Sequence, residues 1–372
     1  MYDIINLIKK EMYKDFKKDI NKGTFEEFVS SKSKEELLSN ISFSYAILGS
    51  EKEIDINTIS KLSKKNLNQH YLNIYKDCIY SSFYIIGDLN IMQIKGILKE
   101  LNNGYGVFNL DTSNYSIDFF LKMQIYGYAN IKYDDSSSSI EIYFPKEIII
   151  EIKKLLSDKN FMKEVNKNCK IYNNLVNLID VYGIVKENDL FEIYNKTFKP
   201  LNKDVLKVVI YTMSLPDNNI EIINNKDTTY FSSSSISEYS NAIDFYNSID
   251  STIDYRLFKE QEILEITECF FMYELKSFPP LIDEIIKITN NNDDDYLNEI
   301  KVNIIDDYFF SYRIDQRTAK LNYNKNISNF YDVTDLIHKI SIHGKLNTLS
   351  KDFPLYIYRG YTKKEYDKLK AK

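Results

Sequence analysis

The chain has no tryptophan, three histidines, three cysteines, four arginines and ten glycines in 372 residues. Each shortage removes a class of chemistry. Cys78, Cys169 and Cys269 lie far apart, with no Cys-x-x-Cys pair. A disulfide framework and a cysteine-rich zinc site are therefore not expected, and the three read as buried free thiols. His338 and His343 are five residues apart. A helical metal pair needs a spacing of four to place both rings on one face, and no Glu follows His338. His70 stands alone beside Tyr71 and reads as a packing or surface residue. The sequence has no GxxxxGK[ST], GxGxxG or GxSxG. "NNGYG" (102–106) lacks the lysine and the flanking strand of a phosphate cradle. "NNNDDDYLNE" (290–299) lacks the glycine and ligand spacing of a calcium loop, and reads as an acidic helix start. Nucleophilic, metal-dependent and nucleotide-dependent catalysis all lose their usual parts. The expectation is a protein that is not an enzyme and needs no cofactor.

Long apolar runs are missing too. None approaches 18 residues, so no membrane-spanning helix is expected. The first residues, "MYDIINLIKKEMYKDFKKDI", carry charges too early for a secretory signal. Ile4, Ile5, Ile8, Met12 and Phe16 instead fall at helical spacing, predicting an amphipathic helix over 2–20. The expected location is the cytoplasm, without a membrane partner. Excess positive charge is also absent: the net charge is −6. Basic residues are nearly all lysine, the arginines being Arg256, Arg313, Arg317 and Arg359. Phosphate neutralisation dominates nucleic-acid affinity, so general nucleic-acid binding is disfavoured.

What the chain does have is aromatic weight, with 31 tyrosines and 22 phenylalanines, enough to argue against disorder. It is also rich in Asn, Ile, Lys and Tyr, whose codons are AT-rich, as in some bacteria, their phages and some protozoa. Helical patterns are read at 24–30 and 34–48. Thr24 and Ser33 are their candidate caps, each followed by Glu. A polar connector is read over 50–66, then a helix over 67–86.

A pattern then occurs twice, from "YIIGDLNIMQIKGILKEL" to "NIKYDDSSSSIEIYFP", and from "DVYGIVKENDLFEIYNKTF" to "NIEIINNKDTTYFSS". With Gly87 set against Gly183, Leu89 meets Val185, Ile94 meets Leu190, Ile97 meets Ile193 and Leu98 meets Tyr194. Both segments thus present one helical face. Asn90 is the candidate cap of the first. A further helix follows in each (113–127 and 201–214). Alternating strands then flank Asp134-Asp135-Ser136 in the first copy and Asn224-Asn225-Lys226-Asp227 in the second. "NNGYGVFNLDTS" (102–113) is read as an extra loop in the first copy. Helix, short strand, helix, helix, hairpin is winged-helix order. A charged helical linker (146–168) joins the copies. Further helices are read at 238–249, 258–276, 279–289 with Pro280 at its start, 293–312 and 333–340.

The expected fold is α+β, mainly helical with small β-hairpins: tandem winged-helix-like units followed by a helical array. The expected domains are 1–66, 67–168 with the linker, 169–236 and 237–372.

"KLNTLSKDFPLYIYRGYTKKEYDKL" (345–369), with "LVNLIDVYGIVKENDLFEIYNKTF" (175–198), resembles a set of uncharacterised proteins of low-GC Gram-positive bacteria, many of which carry a SEC-C (YecA-type) zinc-binding tail. Pro354, Tyr356, Gly360, Thr362 and Glu365 follow the C-terminal run of that set. The resemblance covers roughly 170–370 and implies a modular bacterial cytoplasmic protein. The Cys-x-Cys…Cys-His cluster is missing from this sequence, so zinc is not implied.

Two readings of function follow. The first is a non-enzymatic protein-interaction module, a bacterial adaptor or a bacterial or phage-encoded inhibitor, built on winged-helix-like domains. "YFFSYRIDQRTAK" (308–320) concentrates arginines with aromatics, which reads either as a helix with a buried aromatic face and exposed arginines or as a recognition surface. Tyr308, Tyr312, Arg313, Arg317 and Arg359 are therefore the candidate contact residues for a protein partner. The second is a winged-helix DNA-binding regulator using helix 201–214, with Lys203, Lys207 and Lys226 toward phosphate. Against it, 171–235 carries six lysines and eight acidic residues.

Overall fold

The computed structural model describes residues 22–48, 56–110, 112–115, 117–134, 137–214, 220–237, 241–267, 275–304, 309, 311–314 and 336–371. The helix expected at 2–20 lies outside these residues, as do Tyr308, Arg317 and Cys269. The described chain is mostly helical with two small antiparallel sheets of three strands each, an α+β fold. It divides into two compact units, Met1–Tyr172 with Lys207–Pro216, and Asn173–Leu206 with Asp217–Lys372.

In the first unit, α1 (Phe25–Ser31) and α2 (Lys34–Leu48) begin at the expected caps. Thr24 and Glu27 form a reciprocal capping box, and Ser33 and Glu36 exchange the same two hydrogen bonds. The expected connector is partly helical: α3 spans Ile56–Ser60, and α4 (Lys64–Tyr84) starts at Lys64 rather than 67, capped by Ser63. Both α1 and α2 pack on α4. Two phenols of this core find partners. The buried Tyr71 hydroxyl donates to the Gly127 carbonyl at 3.2 Å, and the Tyr128 hydroxyl lies 2.8 Å from Ser82 Oγ. Burial pushes both phenols well above their ordinary range. Cys78 and Cys169 are buried, and the Cys169 thiol donates to the Ile86 carbonyl at 3.3 Å.

The rest of this unit holds α5 (Asp88–Glu100), β1 (Tyr105–Asn109), α6 (Ile117–Ile125), β2 (Asn130–Asp134), β3 (Ser139–Tyr143) and α7 (Lys146–Ser157). The expected loop at 102–113 thus contains a strand. Asn103 and Gly104 both take positive φ, 49° and 83°, and reverse the chain between Asn102 and Tyr105. Asn-Gly is the dipeptide such a turn favours, because Gly enters the left-handed region without a Cβ clash. β1 then pairs with β3 from Tyr105↔Tyr143 to Asn109↔Ser139, giving sheet order β1-β3-β2. The N-cap of α5 is Gly87, not the expected Asn90, which lies inside the first turn.

α8 (Lys159–Tyr182) leads to β4 (Ile184–Lys186), α9 (Glu187–Thr197), α10 (Lys203–Met213), β5 (Ile220–Asn225) and β6 (Thr228–Ser233). Here the strand precedes the second helix, and the sheet order is β4-β6-β5. The two sequence copies therefore share a sheet order but not the place of the first strand. The paired apolar face is common to both: Ile94, Ile97, Leu190 and Ile193 are all buried. α10 buries Leu206, Val209, Ile210 and Met213 along one face.

The second unit continues through α11 (Ala242–Ser248), α12 (Glu260–Thr267), α13 (Pro279–Thr289), α14 (Asp294–Asn303), α15 (Leu336–Leu349) and α16 (Lys363–Lys370). Pro occupies the first turn of α13, and Asp293 caps α14 by accepting from the Asp295 and Tyr296 amides. That is the acidic helix start expected of "NNNDDDYLNE". The helix expected at 293–312 is shorter, and a separate helical turn follows at Ser311–Ile314. α15 runs well beyond the expected 333–340. One apolar cluster joins α13, α14 and α15 to Phe353 and Leu355. A second joins Ile184 and Tyr230 of the sheet to Phe245 of α11 and to Tyr356.

Candidate functional site

An α-helix ends with carbonyls that have no intrahelical donor and with the negative end of its dipole. α8 ends at Tyr182, and its last carbonyls are met by side chains from far along the chain. The Tyr356 hydroxyl donates to the Asp180 carbonyl at 3.0 Å. Arg313 donates through Nη2 to the Val181 carbonyl and through Nε to the Pro354 carbonyl at 3.1 Å. Its guanidinium also lies over the rings of Tyr356, at 4.0 Å, and Phe309, at 5.3 Å. Arg313 is only 2% exposed, and Tyr312 is buried beside Phe353. This corrects the sequence reading of both as a contact surface. Their aromatic neighbours close around the cation instead of presenting it, so they form the support beneath a site.

The segment after Pro354 is pinned from both sides. Tyr356–Tyr358 forms one 3-10 turn, and Arg359 ends it with φ 52°. The Arg359 carbonyl accepts from the Arg256 amide at 3.1 Å, and the Ile357 carbonyl accepts from the Asp250 amide at 3.3 Å. The Arg359 guanidinium lies 4.5 Å from the Tyr255 ring centre. Of the arginines expected at a surface, Arg359 is half-buried on this aromatic support.

α16 follows, opened by a capping box between Thr362 and Glu365. None of its residues is buried. Polar contacts and one ring stack hold it. Glu365 pairs with Arg256 at 2.8 Å, Lys370 pairs with Asp250 at 2.8 Å, and the Tyr366 hydroxyl donates to Asp250 at 2.6 Å. The Tyr358 and Tyr366 rings stack 4.2 Å apart. Between α16 and α12 lies a cleft of about 460 Å³. Phe258, Ile266, Leu275 and Pro354 supply its apolar surface, Glu262, Glu265, Asp352 and Glu365 its acidic groups, and Arg256 a cation paired with Glu365. From α16, Lys364 and Lys368 line the same cleft.

The Lys370 ammonium beside Asp250, with hydrogen bonds from Thr252 and Tyr366, holds this carboxyl well below the usual carboxylate range. Tyr366 is pushed up to about 12, chiefly by its hydrogen bond to Asp250. A depressed carboxyl stabilises the fold above its unfolded pKa, about 3.9, and that contribution is lost as pH falls through the lowered value. Acidification below about 3.9 is therefore expected to loosen α16 progressively, before the buried helices. Hydrogen exchange over 363–370, corrected for intrinsic rates, should show this, and Asp250→Asn should flatten the pH dependence. Unchanged protection across that range would refute the role given to Asp250.

Away from the cleft, Lys203 and Lys207 are exposed on α10. Lys226 is exposed in the two-residue turn between β5 and β6, beside Asp227. The structure thus distributes the candidate lysines between one helix face and one hairpin tip. Sequence reading missed Asp250, Arg256 and Tyr366, whose partners are more than a hundred residues away. Only the Thr-x-x-Glu cap of α16 carried a local signal for this site. His338 is exposed and His343 half-buried on α15. Among the described residues there is no cluster of His, Cys, Asp or Glu able to hold a metal ion, and no helix is long and apolar enough to cross a membrane.

No protein family, no curated protein and no solved structure matches this chain.

Proposed function

We propose that this protein is a protein-interaction module, an adaptor or inhibitor of bacterial or phage origin acting in the cytoplasm, in which β4–α9–α10 with the β5–β6 hairpin forms a winged-helix-like unit. The observation that carries the reading is the outward face of α10, the helix that a winged-helix unit presents to its target. Val205 and Val208 are 41% and 58% exposed there, between Lys203, Asp204 and Lys207. Base edges are read by Arg, Lys, Asn and Gln, and phosphate contacts need more than two lysines beside an aspartate. Apolar residues among mixed charges suit a protein surface.

The test is affinity capture from the host with the intact chain and with Val208→Asp. A partner retained by the first and lost by the second is expected. Capture that ignores the substitution would remove α10 from the interface. The second reading, a DNA-binding regulator, draws on the exposure of Lys203, Lys207 and Lys226. A mobility-shift titration separates the two. DNA binding at low salt that weakens steeply as salt rises would favour the regulator, and no shift at low salt would sink it.

A further inference from the structure

The cleft beside α16 has an unusual division of forces. Its floor and one wall belong to the packed body of the unit: Phe258, Ile266 and Leu275 are apolar, and Glu262 and Glu265 project from α12. Its other wall, α16, buries no residue and is held by ion pairs, hydrogen bonds and one ring stack. Each of the two ion pairs has one solvent-exposed partner, Glu365 in one and Lys370 in the other, and pairs open to solvent contribute little and are screened by salt. An element attached in this way lifts at lower cost than one anchored by an apolar face.

The charges are complementary across the cleft. α16 reads Lys-Lys-Glu-Tyr-Asp-Lys-Leu-Lys, a basic helix, and Lys364 and Lys368 line the cleft with Glu365, while its body side carries Glu262, Glu265 and Asp352 against a single cation, Arg256, which Glu365 pairs. We infer that α16 is a detachable wall of a docking groove, and that the groove takes a basic amphipathic helix of a protein partner when α16 lifts. The apolar floor receives the partner's apolar residues, and Glu262 and Glu265 receive its lysines or arginines. This deepens the protein-interaction reading and rests on it, while using none of the α10 residues.

The probe is a fluorescein-labelled peptide with the sequence of residues 361–371, titrated against the full chain and followed by anisotropy. Tyr366→Ala combined with Lys370→Ala weakens the strap without altering a cleft-lining residue. Apparent affinity scales with the fraction of open groove, so this variant is expected to bind the peptide about tenfold more tightly than the parent chain. Adding Glu262→Gln and Glu265→Gln to it should abolish that gain. Hydrogen exchange gives a second readout: the strap variant should lose protection over 363–370 while α13 and α15 keep theirs, which also shows that the unit remains folded. Equal peptide affinity in parent and strap variant, no binding to either, or binding indifferent to Glu262 and Glu265 each overturns the groove. If the groove fails while Val208→Asp still abolishes partner capture, the interaction reading stands and only this inference falls.

Discussion

Arg313→Met is expected to destabilise the second unit by about 3–5 kcal/mol, because it strands two buried carbonyls and empties the space between two rings. The carbonyls are those of Val181 and Pro354, and the rings are those of Phe309 and Tyr356. Methionine fills part of the volume but donates nothing to a helix end whose dipole favours a cation. Arg313→Lys keeps the charge, reaches one carbonyl at most, and should fall between the two. Denaturant titration of the full chain measures this. A loss below about 1 kcal/mol for Arg313→Met would show that water replaces the guanidinium at the helix end. The α16 contacts make a second readout, since Pro354 and Tyr356 introduce the segment that presents Arg359 and Thr362.

Gly183→Ala should cost about 3 kcal/mol, whereas Gly87→Ala should stay within about 0.5 kcal/mol, although the sequence repeat aligns the two. Gly183 has φ 78°, and a Cβ there would lie 2.7 Å from Tyr356 Cγ and 2.9 Å from Ile236 Cδ1. It links α8 to β4, and its carbonyl accepts from the Ser233 amide at 2.8 Å. Gly87 has φ −70°, and a Cβ there meets only Asn90 Nδ2, at 3.8 Å. Thermal or denaturant melts of the two variants decide the matter. Equal effects would mean that the repeat carries equivalent backbone roles at both positions, against the geometry.

The reason the aligned glycines differ is the place of one strand. Apolar positions at three- and four-residue spacing are a local property, so the common face of α5 and α9 was legible from sequence. Thr24 and Ser33 were legible as caps for the same reason: the donor and acceptor lie within one turn of each other. β1 was also signalled locally, by Asn103-Gly104, but its strand is short and its inward residue is Phe108 alone among buried positions. Five residues with one buried side chain do not produce a clear alternation. Pairing with β3 is what makes it a strand.

Arg313 and Arg359 show the harder limit. Both stand among aromatics in the sequence, a pattern shared by recognition surfaces and by buried cation–aromatic stacks. Whether such an arginine faces a partner or a helix end depends on whether the chain brings back an acceptor, and for Arg313 that acceptor is Val181, 132 residues earlier. By itself the sequence determined the helical character, the caps, the hairpins and the absence of familiar catalytic motifs. These follow from spacing within a turn or a strand. Tertiary structure alone decided which charges are buried, which hold α16, and which remain on α10. Desolvation and pairing are set by neighbours in space, and those neighbours come from opposite ends of the unit.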